Sequence, residues 1–321
     1  MFTRSSRPLL RPSRASRASR AVPGAVALVA TSLLIVGCQA QAAERILSSA
    51  TVTDVAQTPA IDTPALDTPR LASADNFRDL AGTDRAYDTG DGHLKPASVY
   101  RSNALEVTDG DLATLEDLDV STVVDLRTDQ EIDEHPDRVP AGADYVHVDV
   151  VGGATTAANP TDGLDVDTPE AAATLLGDLN RSFVTDDGMR AQIGKTVTAV
   201  AEADGPVVFH CTAGKDRAGW VSAVLQLAAG VTEADVMENY LATNDYSKDR
   251  IEATTEHIRE SEGDRAAETY RVLLGVQEGF LRSGLDAMKE FYGDVDSYLV
   301  SGLGLDVETV QGLKDRLVER D

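Results

Sequence analysis

From Leu71 onward, short apolar runs alternate with stretches of helical spacing. Ser98–Tyr100, Thr122–Leu126, Tyr145–Val150 and Pro206–His210 are brief runs rich in Val, Tyr and Phe, the pattern of strands buried in a sheet. Helical spacing covers Asp109–Leu118 after a Thr108 cap, Pro169–Phe183 and Gly188–Glu202. It continues over Arg217–Ala229, stopped by Gly230, and over Glu233–Ala242, capped by Thr232. Val276–Tyr292, stopped by Gly293, and Val307–Val318, capped by Asp306, complete the set. Strands alternating with helices predict an α/β fold with a central, mainly parallel sheet flanked by helices. After residue 217 the pattern predicts helices only, packed on and beside that sheet. One domain spanning 71–321 follows.

The N-terminal segment has a different grammar. Residues 1–37 hold six Arg and no acid or Lys, and Ala25–Val36 is an apolar run of twelve residues. That is the length of a signal-peptide core and short of the ~20 residues a spanning helix needs. The run ends in Leu34-Ile35-Val36-Gly37-Cys38, which resembles the lipobox of bacterial lipoproteins. The resemblance implies a cleaved signal peptide over 1–37 and a lipid on Cys38. It places the protein outside the cell, anchored to the outer face of the membrane; a plain secretory signal is the alternative. Residues 38–70, with their TPAIDTPALDTP stretch, read as a solvated linker.

The chain has 321 residues, 42% of them hydrophobic and 26% charged, a globular balance with a net charge of −25. Setting aside the six N-terminal Arg, the rest carries −31. Nucleic acid is thereby argued against as a partner, because phosphate-backbone affinity needs clustered Lys and Arg. With Cys38 lipidated, Cys211 is a lone thiol, and no disulfide within the chain is possible.

The chemistry concentrates in Pro206-Val-Val-Phe-His210-Cys211-Thr212-Ala213-Gly214-Lys215-Asp216-Arg217. A strand runs into a short glycine-bearing loop that opens a helix. Successive loop amides and the helix N-terminus form an anion cradle. A thiol at its first position is expected to ionise below the free value of about 8.5 and act as nucleophile. Arg217 presents a planar fork matched to two phosphate oxygens.

This segment matches the C-x5-R signature of cysteine-dependent phosphatases, and its HCxxGKDRxG form resembles the bacterial secreted tyrosine-phosphatase family. Supporting matches are Asn76-Phe77-Arg78-Asp79-Leu80, Tyr100-Arg101-Ser102, and Asp125-Leu126-Arg127 through Glu131 and Pro136. Asn239-Tyr240-Leu241 with Asn244-Asp245, and Tyr292-Gly293 to Tyr298-Leu299, extend the resemblance over about 72–318. It implies the dual-specificity-like phosphatase fold and hydrolysis of phosphotyrosine, with phosphoserine and phosphothreonine as further substrates, through a phosphocysteine on Cys211. It implies no cofactor and no metal; His93, His135, His147 and His257 show no ligand spacing.

In this scheme the loop Thr212–Arg217 binds phosphate and Asp216 is the first candidate general acid, with Asp149 second. Lys215 adds positive charge and goes with acceptance of phosphoinositides; a solvated Lys on the loop rim is the alternative. His210 orients the loop and tunes the thiolate. Arg78 and Asp79 either brace the loop or form a surface ion pair, and Asp125 and Glu131 are both candidate partners for Arg217. Substrates are then a phosphorylated protein or a phospholipid. Readings kept beside this one are a phosphoinositide or small phosphate-ester phosphatase with the same site, and a phosphate-binding pseudophosphatase. Ala218 stands where many relatives carry Ser or Thr, which predicts slow phosphoenzyme breakdown and a burst of product. The Gly152–Thr168 segment is a candidate mobile lid.

Overall fold

The computed structural model describes residues 63–151 and 166–320. The expected signal peptide, Cys38, most of the linker and most of the Gly152–Thr168 segment lie outside the described residues.

The Val-rich runs form the middle of a five-stranded sheet. In chain order its strands are β1 (Arg78–Asp79), β3 (Val99–Ser102), β4 (Thr122–Asp125), β5 (Asp144–His147) and β6 (Val207–His210), with a separate β2 (Gly92–Leu94) between β1 and β3. Their spatial order is β1-β3-β6-β4-β5, antiparallel only at β1 and parallel elsewhere. Every residue of β4 and β6 is buried, as central strands covered on both faces require.

Helices α1 (Asp109–Asp117), α2 (Asp129–Glu134), α3 (Pro169–Thr185) and α4 (Asp187–Glu202) lie between strands in the chain. After β6 come α5 (Arg217–Ala228), α6 (Glu233–Leu241), α7 (Thr243–Tyr246), α8 (Lys248–Glu262), α9 (Asp264–Leu274), α10 (Glu278–Tyr292), α11 (Val295–Ser297), a π-helical turn (Tyr298–Gly302) and α12 (Val307–Leu317). Eleven of the twelve residues of α5 are buried, among them Trp220, Val221, Val224 and Leu225, so it is hydrophobic all round because it runs through the core. One apolar cluster joins α5 to Phe183, Ile193, Phe209, Leu281 and Leu285; a smaller one on the other sheet face holds Phe77, Tyr100, Leu105, Leu115 and Val208.

Four expectations shift. The strand expected at Tyr145–Val150 is Asp144–His147, because its ladder partner β4 ends at Asp125; Val148 and Val150 are buried beyond it and mimic a longer strand. The strand expected at Ser98–Tyr100 runs on through Arg101 and Ser102, polar yet fully buried. The helix-only C-terminal half is broken by β7 (Val318–Arg320), which pairs antiparallel with β2. Gly92 permits that approach: at φ +150, a Cβ there would lie 2.1 Å from the Glu319 carbonyl oxygen. Finally, residues 63–70, read as the end of the linker, are tied to the domain. Leu66 N donates to Asp84 O (3.0 Å), Ala86 N donates to Pro64 O (2.9 Å), and the Arg70 guanidinium lies 3.9 Å from the Tyr246 ring centroid.

Candidate active site

Cys211 follows the last residue of β6, and the loop it opens closes on Arg217 at the start of α5. Strand register aligns Ser102, His210 and Asp125 at the carboxyl ends of β3, β6 and β4. This is the edge at which ligands gather in parallel sheets.

The loop is bent by Gly214. Its φ is +68, and a Cβ would lie 2.5 Å from Ser102 O and 2.6 Å from Asn103 N, so conformation and space both demand glycine. Two buried side chains hold the loop carbonyls from behind. Asn76 Nδ2 donates to Ala213 O (3.0 Å) and Gly214 O (2.9 Å), and Arg101 Nη2 donates to Gly214 O (2.7 Å). Among the described residues, no main-chain amide from Thr212 to Asp216 has an acceptor. Five successive donors beside the N-terminus of a twelve-residue helix make an anion cradle.

Arg217 is clamped by Glu131: Nη1 donates to Oε2 (2.7 Å) and Nη2 to Oε1 (2.6 Å), a two-pronged pair. Burial works against both charges. The mutual hydrogen bonds outweigh it, holding the Glu131 carboxyl below and the Arg217 guanidinium above their ordinary values, with the Cys211 sulfur adding to the pull on Arg217. Glu131 is itself placed by a capping box at the start of α2, where Glu131 N donates to Thr128 Oγ1 (3.2 Å) and Thr128 N donates to Glu131 Oε2 (2.9 Å). The Thr212 hydroxyl also donates to Glu131 Oε1, fastening the loop to the same carboxylate.

Asp125, the other candidate partner for Arg217, is spent elsewhere. It accepts from Arg127 Nε (2.9 Å) and Nη2 (2.7 Å) and from Tyr145 Oη (2.6 Å). Burial raises its carboxyl, but these contacts, Arg127's first, leave it well below the usual carboxylate range. His210 is fully buried, with Nδ1 3.5 Å from Cys211 O, Nε2 3.1 Å from Asp137 Oδ2 and 3.9 Å from Asp125 Oδ1.

Lys215 is no rim residue: it is buried, with Nζ 2.8 Å from Asp216 Oδ2. Asp216 sits at the N-cap position of α5 without capping it, and its buried Oδ1 has no hydrogen-bond partner. Asp149, the second candidate acid, accepts from Val151 N (3.0 Å) and does not line the cleft.

Arg78 and Asp79 form neither a surface ion pair nor a joint brace. Both are buried, and neighbours on a strand point apart. Arg78 donates to Asn76 Oδ1, Asn239 O (2.9 Å) and Thr243 Oγ1 (3.1 Å), so it reaches the loop through other side chains, Asn76 first, and does not touch it. Asp79 ties a turn, accepting from Ala81 N (2.8 Å) and Ala97 N (2.7 Å), and burial pushes it up to about 6.

The cleft above the loop has a volume of about 420 Å³ and is lined by Cys211, Lys215, Asp216 and Arg217 below. Leu179 of α3, Leu273 and Leu274 of α9 and Arg250 of α8 form its wall, with His135 and Glu106 also lining it. Arg250 Nε donates to Asp75 Oδ2 (2.8 Å).

Sequence reasoning assigned no role to Asn76, Arg101, Arg127, Asp137 or Asn239. Four of them lie in quoted motifs and are themselves fully buried, and a charged residue directly after an apolar strand run, as at Arg101, was the usable signal. For α2 the missed signal was Thr128-x-x-Glu131.

Three comparisons bear on identity. The model of a tyrosine phosphatase family matches residues 69–319. The triple specificity protein phosphatase PtpB of Mycobacterium tuberculosis is 30% identical over 280 residues, covering 77% of this chain and 98% of that one. A tyrosine-protein phosphatase of Nostoc commune is 30% identical over 230 residues, covering 69% of this chain and 74% of its own. A likeness to the crystal structure of P. aeruginosa TpbA is remote, with 16% identity, a TM-score of 0.30 and coverage of 59% of this chain and 94% of that one, and carries no argument. On the span of the family match and the identity to its members, the chain belongs to the tyrosine phosphatase family.

Proposed function

We propose that the protein is a cysteine-dependent phosphomonoesterase that removes phosphate from tyrosine. One observation carries the reading: Cys211, Lys215, Asp216 and Arg217 line one cleft, over five loop amides that have no acceptor. The Cys211 thiolate attacks phosphorus in line. The S–P bond forms as the P–O bond breaks, and Asp216 gives its proton to the leaving phenolate oxygen. Loop amides and Arg217 hold the equatorial oxygens, whose charge grows in the transition state. Asp216 then takes a proton from the attacking water, the S–P bond breaks, and phosphate and the thiolate are released. Lys215 keeps Asp216 close at 2.8 Å and adds positive charge to the cleft floor.

Leu179, Leu273 and Leu274 give the cleft an apolar wall, which suits an aryl ester better than a polyol. Phosphoserine and phosphothreonine fit the same floor and make less use of that wall; relatedness to PtpB, whose name states triple specificity, supports including them. The N-terminal pattern ending in Cys38 supports export and lipid anchoring, and the acyl chains would hold the domain at a membrane surface.

The test is hydrolysis of phosphotyrosyl peptide, phosphoseryl peptide and inositol phosphate by wild type and Cys211→Ser. Phosphotyrosine is expected to turn over fastest, with Cys211→Ser lowering kcat by about 10³-fold or more. Retained activity in Cys211→Ser, or a wild type that leaves all three untouched, overturns the reading.

A further inference from the structure

Two guanidiniums are buried behind the loop with no acid paired to either. Arg78 and Arg101 are fully buried, and among the described residues both are bonded only to neutral oxygens. Arg101 Nη2 donates to Gly214 O (2.7 Å) and Nη1 to Asn239 Oδ1 (3.3 Å), while Nε has no acceptor. Arg78 holds the same residue from its main chain, with Nη2 donating to Asn239 O (2.9 Å), and its guanidinium lies 4.9 Å from the Tyr246 ring centroid. Tyr87 and Tyr240 also face the pair. Burial raises both phenols, Tyr87 to about 12 and Tyr240 further, so neither is an anion at neutral pH. Arg70 adds a third positive charge near Arg78, and Asp216 of the loop is taken by Lys215 (2.8 Å).

Buried charges in folded proteins are normally paired, because an unpaired one loses its hydration and gains nothing. Burial pushes Arg101 down to about 10, so it keeps its charge at neutral pH, and the Cys211 sulfur gives the largest pull the other way. Two guanidiniums against one sulfur still leave positive charge over. One peptide links that charge to the cleft. Its carbonyl, Gly214 O, is held by Arg101 and by Asn76 Nδ2 (2.9 Å), and its N–H, on Lys215, is among the loop amides without an acceptor. The two groups of a trans peptide point opposite ways, so a cation on the oxygen aims the N–H away from itself and polarises it.

Resting on the reading of the loop as the phosphate site, we propose that Arg101 is a positioning residue whose unpaired charge takes the phosphoryl dianion as its counter-charge, acting through the Gly214–Lys215 peptide. Arg101 does not line the cleft. The empty domain therefore holds positive charge that an oxyanion in the loop relieves, which makes inorganic phosphate, the product, a stabilising ligand.

Asn239→Asp tests this. The oxygen that already accepts from Arg101 becomes part of a carboxylate, and the second oxygen replaces a buried amide nitrogen that has no acceptor. An acid placed in a buried site ordinarily destabilises; beside an unpaired guanidinium it forms the missing ion pair. The variant is expected to unfold at no lower urea concentration than wild type, while its Kd for inorganic phosphate, measured by calorimetry, rises about tenfold. Arg101→Gln keeps a donor without the charge and is expected to raise that Kd about tenfold as well. Arg101→Lys keeps the charge and is expected to raise it less than about threefold. The gain in melting temperature on adding phosphate should shrink in Asn239→Asp and Arg101→Gln and persist in Arg101→Lys.

An unchanged phosphate Kd in Asn239→Asp, or equal losses in Arg101→Lys and Arg101→Gln, overturns the proposal, since Arg101 is then a carbonyl anchor whose charge is immaterial. Unfolding of Asn239→Asp at lower urea than wild type, or its failure to fold, overturns it too. Should the Arg101 variants not fold, Asn239→Asp decides by itself. Phosphate binding needs no turnover, so a wild type that binds phosphate yet hydrolyses no ester sinks the phosphatase reading and not this one.

Discussion

Helices α5 and α8 both contribute to the cleft, yet eleven residues of α5 are buried against two of α8, Ile251 and Thr255. The same contrast divides the site. Its floor is a loop strung between a central strand and a core helix, with Asn76, Arg101, Glu131 and His210 holding it from behind. Its wall is mostly a polar helix pair, α8 and α9, joined at Gly263 (φ +91); its inward face consists of Arg250, Leu273 and Leu274, with Leu179 added from α3. Transition-state charge needs donors that are fixed beforehand, because donors that must reorganise lose much of their benefit. Leaving groups vary in shape, and a lightly anchored wall accommodates them at little energetic cost. The floor should therefore answer mutation in kcat and stability, and the wall in KM.

The largest expected effect is on the floor. Glu131→Gln leaves the Arg217 guanidinium buried without its counter-charge and is expected to destabilise the domain by roughly 3–5 kcal/mol. It should also lower kcat by at least about a hundredfold, read by urea unfolding and steady-state kinetics. A loss below tenfold would break the distinction.

Asp79 tests the same frame by pH. Burial lifts its carboxyl from 3.8 to about 6, so the folded state binds more protons than the unfolded chain between those values. Its contribution is complete below about pH 4 and is lost as pH rises through 6, a swing of about 3 kcal/mol. The stability difference between wild type and Asp79→Asn, measured at pH 4 and pH 7, is expected to change by that amount in favour of the variant at pH 7. A flat difference would show that the turn between β1 and β3 relaxes around the charge.

The smallest effect belongs to the wall. The Asp75–Arg250 pair is partly exposed, and such pairs contribute under about 1 kcal/mol. Asp75→Asn is expected to leave the melting temperature and kcat nearly unchanged and to shift KM for a phosphopeptide a few-fold. A hundredfold fall in kcat would make the wall part of the chemical framework.

Much of the floor was legible because it is contiguous. Cys211 to Arg217 is seven residues of strand end, turn and helix start, each with a local physical reason for its place. The choice between Asp125 and Glu131 as partner of Arg217 was not legible, since both are acids ahead of the loop and only the sheet and α2 bring Glu131 to the guanidinium. The wall was legible only through the general expectation of helices after residue 217, with no element assigned over residues 243–275: α8 has few buried apolar positions to mark an inward face, and Arg250 reaches the cleft through tertiary placement.

By itself the amino-acid order determined the strand and helix types, the thiol at the start of the loop, the glycine turn and the arginine that closes it. These depend on neighbours within a turn or a ladder rung, where propensity and periodicity act. Tertiary structure alone decided which carboxylate grips Arg217, that Asn76 and Arg101 hold the loop carbonyls, and that Asp137 faces His210. Those contacts join residues 73 to 138 positions apart, and only the packed sheet brings such distant side chains together.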